Sequence, residues 1–293
     1  MKRSDLRVSP ATLFFALLSL LLGIALYVRT RPGPAERPRP AVSVSPRPRR
    51  PTSPAAQPSP VAAKPALPAA VTDGVPRVAI VIDDLGNDPA AVARIAAWPF
   101  TVGGAVLPAL PGSAAAARDL RQAGKQVLLH LPMEPSRSQM RPGPGVVLRS
   151  QSEAEIERIL ESDLGTVPGA VGVSNHMGSA ATADGRVMHT VARVLARRGL
   201  FFLDSRTTGD TVAREAARDE RVPAVSRRVF LDDVATEEAI LRQLAETVAN
   251  ARAEGFAVAL GHPYPATLAV LERELPKLAA RGVKLVAVGD LVK

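Results

Sequence analysis

The chain of 293 residues carries a formal net charge of +9, has no cysteine and is only 3% aromatic. Without cysteine it has no disulfide, thiol nucleophile or cysteine metal site, which suits an oxidising compartment. The charge sits at one end: through Ala70 there are 11 lysines and arginines against Asp5 and Glu36, and the remaining 223 residues balance at 26 against 26, so the folded part has no basic footprint for nucleic acid.

Lys2, Arg3 and Arg7 precede an apolar run from Ala11 to Val28. The run is long enough to cross a bilayer, and no small-x-small cleavage site follows it closely. An uncleaved signal anchor is expected over residues 1–30, single-pass, with the rest of the chain exported. From 31 to 73 the composition turns to Pro, Ala, Ser and Arg without apolar periodicity, the pattern of a solvated, semi-stiff linker. Residues 74–293 are long enough for one well-cored domain.

The domain opens on Val78-Ala-Ile-Val-Ile-Asp-Asp-Leu-Gly86. Its apolar run reads as a strand buried on both faces, as a parallel sheet requires. Two adjacent carboxylates, Asp83 and Asp84, stand where the run stops, and like charges side by side call for a cation or a shared proton. The plain alternative is a solvated turn, with one of the pair capping a helix that begins near Asn87 to Pro89. Strands are then expected at 101–107, 126–131, 169–173, 201–203, 225–231, 256–260 and 283–288. Helices are expected near 89–97, 112–123, 185–198, 236–253 and 266–280, with another opening at Ser152, where Ser-Glu-Ala-Glu155 has capping-box spacing. Seven or eight βα units in series favour a closed or nearly closed barrel over an open doubly wound sheet.

Polar residues recur just past the strands: His130-Leu-Pro-Met-Glu134, Ser174-Asn175-His176, Asp204-Ser-Arg206, Asp232-Asp233 and Gly261-His262. Three of the four histidines stand at such ends; His189 falls within a helical pattern and reads as structural. Carboxylates and imidazoles gathered at one face of a barrel suit zinc or a similar divalent ion with a position left open for water. Few aromatic residues leave few platforms for sugars, so a small pocket is expected rather than a long groove.

These motifs, from the Asp-Asp-Leu-Gly end to Gly-His-Pro and over about 77–292, resemble the divergent polysaccharide deacetylases of bacterial envelopes. The resemblance implies an α/β fold, the distorted (β/α)7–8 barrel of NodB-like carbohydrate esterases, here behind one transmembrane helix and a Pro-rich linker. It implies a bacterial inner-membrane protein with its domain in the periplasm, acting on an envelope glycan or peptidoglycan with a divalent metal, zinc being expected. Residue by residue, it makes Asp83 the general base, Asp84 and His130 metal ligands and His262 the general acid. Glu134 stands where the family motif has a second histidine, and His176 is the candidate replacement. Arg206, or the metal, would hold the oxyanion, and Asp204 and Asn175 are further candidates. The family's tryptophan motif has no counterpart. The rival expectation is therefore an anchored envelope protein that binds glycan or a protein partner without turnover.

Overall fold

The computed structural model describes residues 74–137 and 139–292; the expected signal anchor and linker lie outside them. No helix among the described residues is long and apolar enough to cross a membrane. Strands and helices alternate: β1 (Arg77–Leu85), α1 (Pro89–Ala96), β2 (Gly103–Val106), α2 (Ser113–Gln122), β3 (Gln126–Met133), α3 (Glu153–Thr166), β4 (Gly172–Met177) and α4 (Gly185–Arg198). Then come β5 (Phe201–Asp204), α5 (Ala213–Asp219), β6 (Ala224–Ser226), β7 (Val229–Phe230), α6 (Glu237–Glu254), β8 (Phe256–Gly261), α7 (Pro265–Ala280) and β9 (Lys284–Leu285).

Local chemistry sets the helix ends. Asp88, rather than Asp83 or Asp84, caps α1 by accepting from the N–H groups of Ala90 and Ala91. The strand-end pair is thus free of that task. At α3 the capping box forms in both directions: Glu155 donates its N–H to Ser152 Oγ, and its carboxylate accepts from the Ser152 N–H. Gly255 ends α6 in the left-handed region that an L side chain resists.

All ladders are parallel, in the order β6-β5-β4-β3-β2-β1-β8-β7, with β9 beside the start of β1. The stretch read as one strand at 225–231 is two. The Arg227 N–H donates to Asp204 on the β5 side, and the Arg228 N–H donates to Val258 on β8. The two ends of the curled sheet therefore meet at the two peptide units flanking Arg227, and β6 and β7 share no ladder. This is an α/β fold with a curled parallel sheet that hydrogen bonds do not close. Three further differences are local. Seven-residue α5 was not anticipated, the last strand shortens to β9 followed by a 3-10 turn at Val288–Leu291, and β3 and β4 run on through His130 and His176.

Strand alternation divides the core in two. Val78, Ile80 and Ile82 join the cluster that includes helix residues such as Ile95, Leu120, Ile156 and Leu195. Ala79 and Val81 join a smaller cluster inside the curl with Leu128, Leu203 and Leu260. Because side chains alternate with period two, Asp83 follows Val81 inward, His130 follows Leu128, and His262 follows Leu260. Ser174 and His176 share that parity, opposite to outward Val173. The inner apolar layer thus ends, strand by strand, in a polar one.

Candidate metal centre at the carboxyl end of the sheet

Asp84 would face outward by simple alternation, but a bulge turns it back. Ile82 pairs with Gly104 and Leu85 with Val106, so β1 spends one residue more than β2 over the same span. Asp84 is that extra residue, at φ +58° in the left-handed region, a conformation that is costly without Gly. The result is convergence: Asp84 Oδ1 stands 2.8 Å from His176 Nδ1 and 3.2 Å from His130 Nε2. The three donor atoms lie within 4.8 Å of one another.

Burial and hydrogen bonding make this trio a candidate cradle for a cation. Asp84 Oδ1 is buried and receives no well-directed hydrogen bond, although both imidazole nitrogens stand close to it. His130 is buried, and its Nδ1 lies 2.8 Å from Ser174 Oγ, which leaves Nε2 to face the carboxylates. Burial alone would push the Asp84 carboxyl up, but the two imidazoles hold it well below the usual carboxylate range. Two nitrogens and one carboxylate oxygen are a donor set that suits zinc with a position left open.

Asp83 differs from its neighbour. It is 2% exposed, its Oδ1 is buried without a partner, and its Oδ2 is 3.9 Å from His130 Nε2. Burial pushes its pKa up, against the opposing pull of His130 and His262. His262 sits across the site, with Nε2 3.9 Å from Asp84 Oδ2 and Nδ1 2.9 Å from Asp232 Oδ1. Burial opposes its charge, but Asp232, helped by Asp83 and Asp84, outweighs that and pushes it up to about 9. Asp232 is itself fixed, accepting also from the His262 N–H and Thr267 Oγ1. One buried acid raised by desolvation and one imidazole raised by a carboxylate give the site a group able to take a proton and a group holding one.

Four expected site residues do other work. Glu134 binds Arg149, accepting from its N–H and its guanidinium, and is not in the trio. Asn175 has outward parity, donates to the Met177 carbonyl and accepts from the Ser205 N–H, tying β4 to the turn after β5. Asp204, also of outward parity, is buried and accepts from the Arg206 N–H and Thr211 Oγ1. Arg206 is exposed at φ +48°, and the guanidinium bonded into this region belongs instead to Arg227. Arg227 donates to the carbonyls of Ser205 and Arg206 and lies 3.6 Å over the Phe230 ring, which stacks on His262. Asp232, Ser174 and Arg227 were not anticipated as site residues. Ser174 and Asp232 carried a signal, their place at the end of an apolar run, whereas Arg227, inside a stretch read as one strand, carried none.

A family model described as divergent polysaccharide deacetylase matches residues 80–292. An uncharacterized protein of Haemophilus influenzae is 37% identical over 215 residues, covering 73% of this chain and 76% of that protein. The uncharacterized protein YibQ of Escherichia coli is 42% identical over 198 residues, or 67% of this chain and 61% of YibQ. The crystal structure of the uncharacterized protein ATU2773 from Agrobacterium tumefaciens superposes with a TM-score of 0.70 at 26% identity, covering 74% of this chain and 89% of that one.

Proposed function

The chain belongs to the divergent polysaccharide deacetylase family, and from that premise we propose that it is a metal-dependent hydrolase removing acetyl groups from an N-acetylated envelope glycan. The observation that carries the reading is the convergence of Asp84, His130 and His176 beside an unpartnered Asp83 and an Asp232-bound His262. A binding surface has little use for so much buried and incompletely paired charge.

In this reading Asp84, His130 and His176 would hold a divalent ion, zinc by donor type. Such an ion supplies Lewis-acid polarisation of the acetyl carbonyl and a water acidic enough to be deprotonated near neutral pH. Asp83, destabilised as an anion by burial, takes the proton from the attacking water. His262, protonated at neutral pH, gives its proton to the amine nitrogen as the C–N bond breaks. Asp232 keeps the imidazole in the required tautomer and orientation. Acetate and a free amino sugar leave. The rival, a binder without turnover, drew its support from the absent second histidine and the absent tryptophan motif; His176 offers a nitrogen in place of the first.

The proposal extends to place. The apolar run in residues 11–28, behind a short basic start, supports an anchor in the bacterial inner membrane with the domain in the periplasm, where peptidoglycan is the N-acetylated glycan at hand. The test is metal content and acetate release together. The full-length protein should hold close to one divalent ion and release acetate from peptidoglycan, and Asp84→Ala, His130→Ala and His176→Ala should each lose the ion and at least about 100-fold of the activity. A wild type that stays metal-free after reloading, or that holds metal and releases no acetate, would overturn the reading.

A further inference from the structure

Among the described residues Tyr264 is the one exposed aromatic side chain, at 45%; every other aromatic ring is buried or half-buried. It stands beside the candidate acid. The Tyr264 and His262 ring centroids are 5.4 Å apart with the planes tilted by 32°, and Phe230 lies against the same imidazole at 6.2 Å. Phe230 is covered by the Arg227 guanidinium, whereas the phenol looks out to solvent.

The backbone gives up helix stability to present this ring. Tyr264 is the N-cap of α7 and makes no side-chain cap bond, at a position where Ser, Thr, Asp or Asn would satisfy a free N–H. Pro263 precedes it and Pro265 follows. A following proline confines its neighbour to extended backbone, and Tyr264 sits there at φ −68°, ψ 143°. The ring is therefore mounted on a stiff segment, next to the acid, with little backbone freedom left to lose on binding.

We propose that Tyr264 is a sugar-stacking residue: the apolar C–H face of the pyranose that bears the acetamido group packs on the phenol, so that the amine nitrogen faces His262. This rests on the deacetylation reading above and names the part of the substrate recognised, one N-acetylated hexosamine ring. With a single exposed platform, recognition is of that ring rather than of a long run of sugars.

The test is binding of chitotetraose to the full-length chain by calorimetry, alongside melting temperature and acetate release. Tyr264→Ala should weaken binding about tenfold or more and raise KM by more than it lowers kcat, while Tyr264→Phe, which keeps the ring, should bind within about twofold of wild type. Tyr264→Ser should weaken binding equally yet melt about 2–4 °C higher, because serine restores the missing cap; a purely structural role for the ring would lower the melting temperature instead. Unchanged binding in Tyr264→Ala, or no binding by wild type, would overturn the stacking role. Ring-dependent binding without acetate release would sink the deacetylation reading and leave the stacking role standing; acetate release indifferent to the ring would do the reverse.

Discussion

The carboxyl end of the sheet and the seam between α3 and α4 handle charge in opposite ways. Along the seam, Glu153, Glu157 and Glu161, one helical turn apart, meet Arg193, Arg197 and Arg198 in pairs that are partly open to solvent. At the sheet end, two adjacent carboxylates and three imidazoles share one corner, Asp83 Oδ1 has no partner, and the left-handed Asp84 is forced in by a bulge. A pairing that serves only stability can be made where water screens it cheaply. Burying charge without complete pairing costs stability, and here that cost is concentrated where a cation and a proton transfer are expected.

The contrast can be broken most severely at Asp232. Asp232→Asn keeps the shape of the contact but removes the charge that holds His262 protonated. With burial then less opposed, the imidazole pKa falls, so the alkaline limb of the kcat profile should move to lower pH. At pH 8, kcat should drop by about 10²–10⁴-fold. An unchanged alkaline limb in acetate-release assays would remove His262 as the acid.

Asp163 sharpens the contrast from outside the site. It lies on the buried side of α3 against Gly145, with Oδ2 buried and unpartnered, and burial pushes its pKa up to about 7. The unfolded chain releases this proton near pH 4, so the folded state loses stability as pH rises from about 4 to 7 and stays penalised above. Asp163→Asn should therefore stabilise the fold by roughly 2 kcal/mol at pH 8 and by much less at pH 4, measured by denaturant unfolding, with acetate release unaffected. The seam sets the lower end of the scale. Arg197→Ala, which removes the 2.9 Å contact to Glu157, should change stability by no more than about 0.5 kcal/mol and leave metal content intact.

What could be read from the chain alone followed from unbroken apolar runs and the polar residues just past them. Val78 to Ile82 announced a buried strand, and in the structure strand alternation carries Asp83, His130 and His262 from strands far apart in sequence to one interior. Alternation does not account for every site residue. Asp84, expected as a ligand, reaches the site only through an extra residue that no pattern marks, and Arg206, placed after a strand like the others, is exposed in a left-handed backbone. Val225 to Leu231 looked like one strand because its apolar residues flank Arg227 and Arg228, the point where the chain passes from one sheet edge to the other. The partnership of Asp232 with His262 exists only across the β7–β8 ladder, 30 residues apart, so position in the chain could not reveal it.

The strand order also bears on how the protein assembles. From β1 through β6 each strand pairs with the next in sequence, so each of those ladders closes over a single helical crossover. β1, first in the domain, must wait for β8: Arg77 pairs with Phe256, and such a distant closure carries a larger entropic cost than the crossovers before it and is favoured later. Asp84, His130 and His176 all lie on the early ladders, and His262 arrives with a later one. Because synthesis runs from the amino end, the topology lets the three clustered side chains come together before His262 joins them.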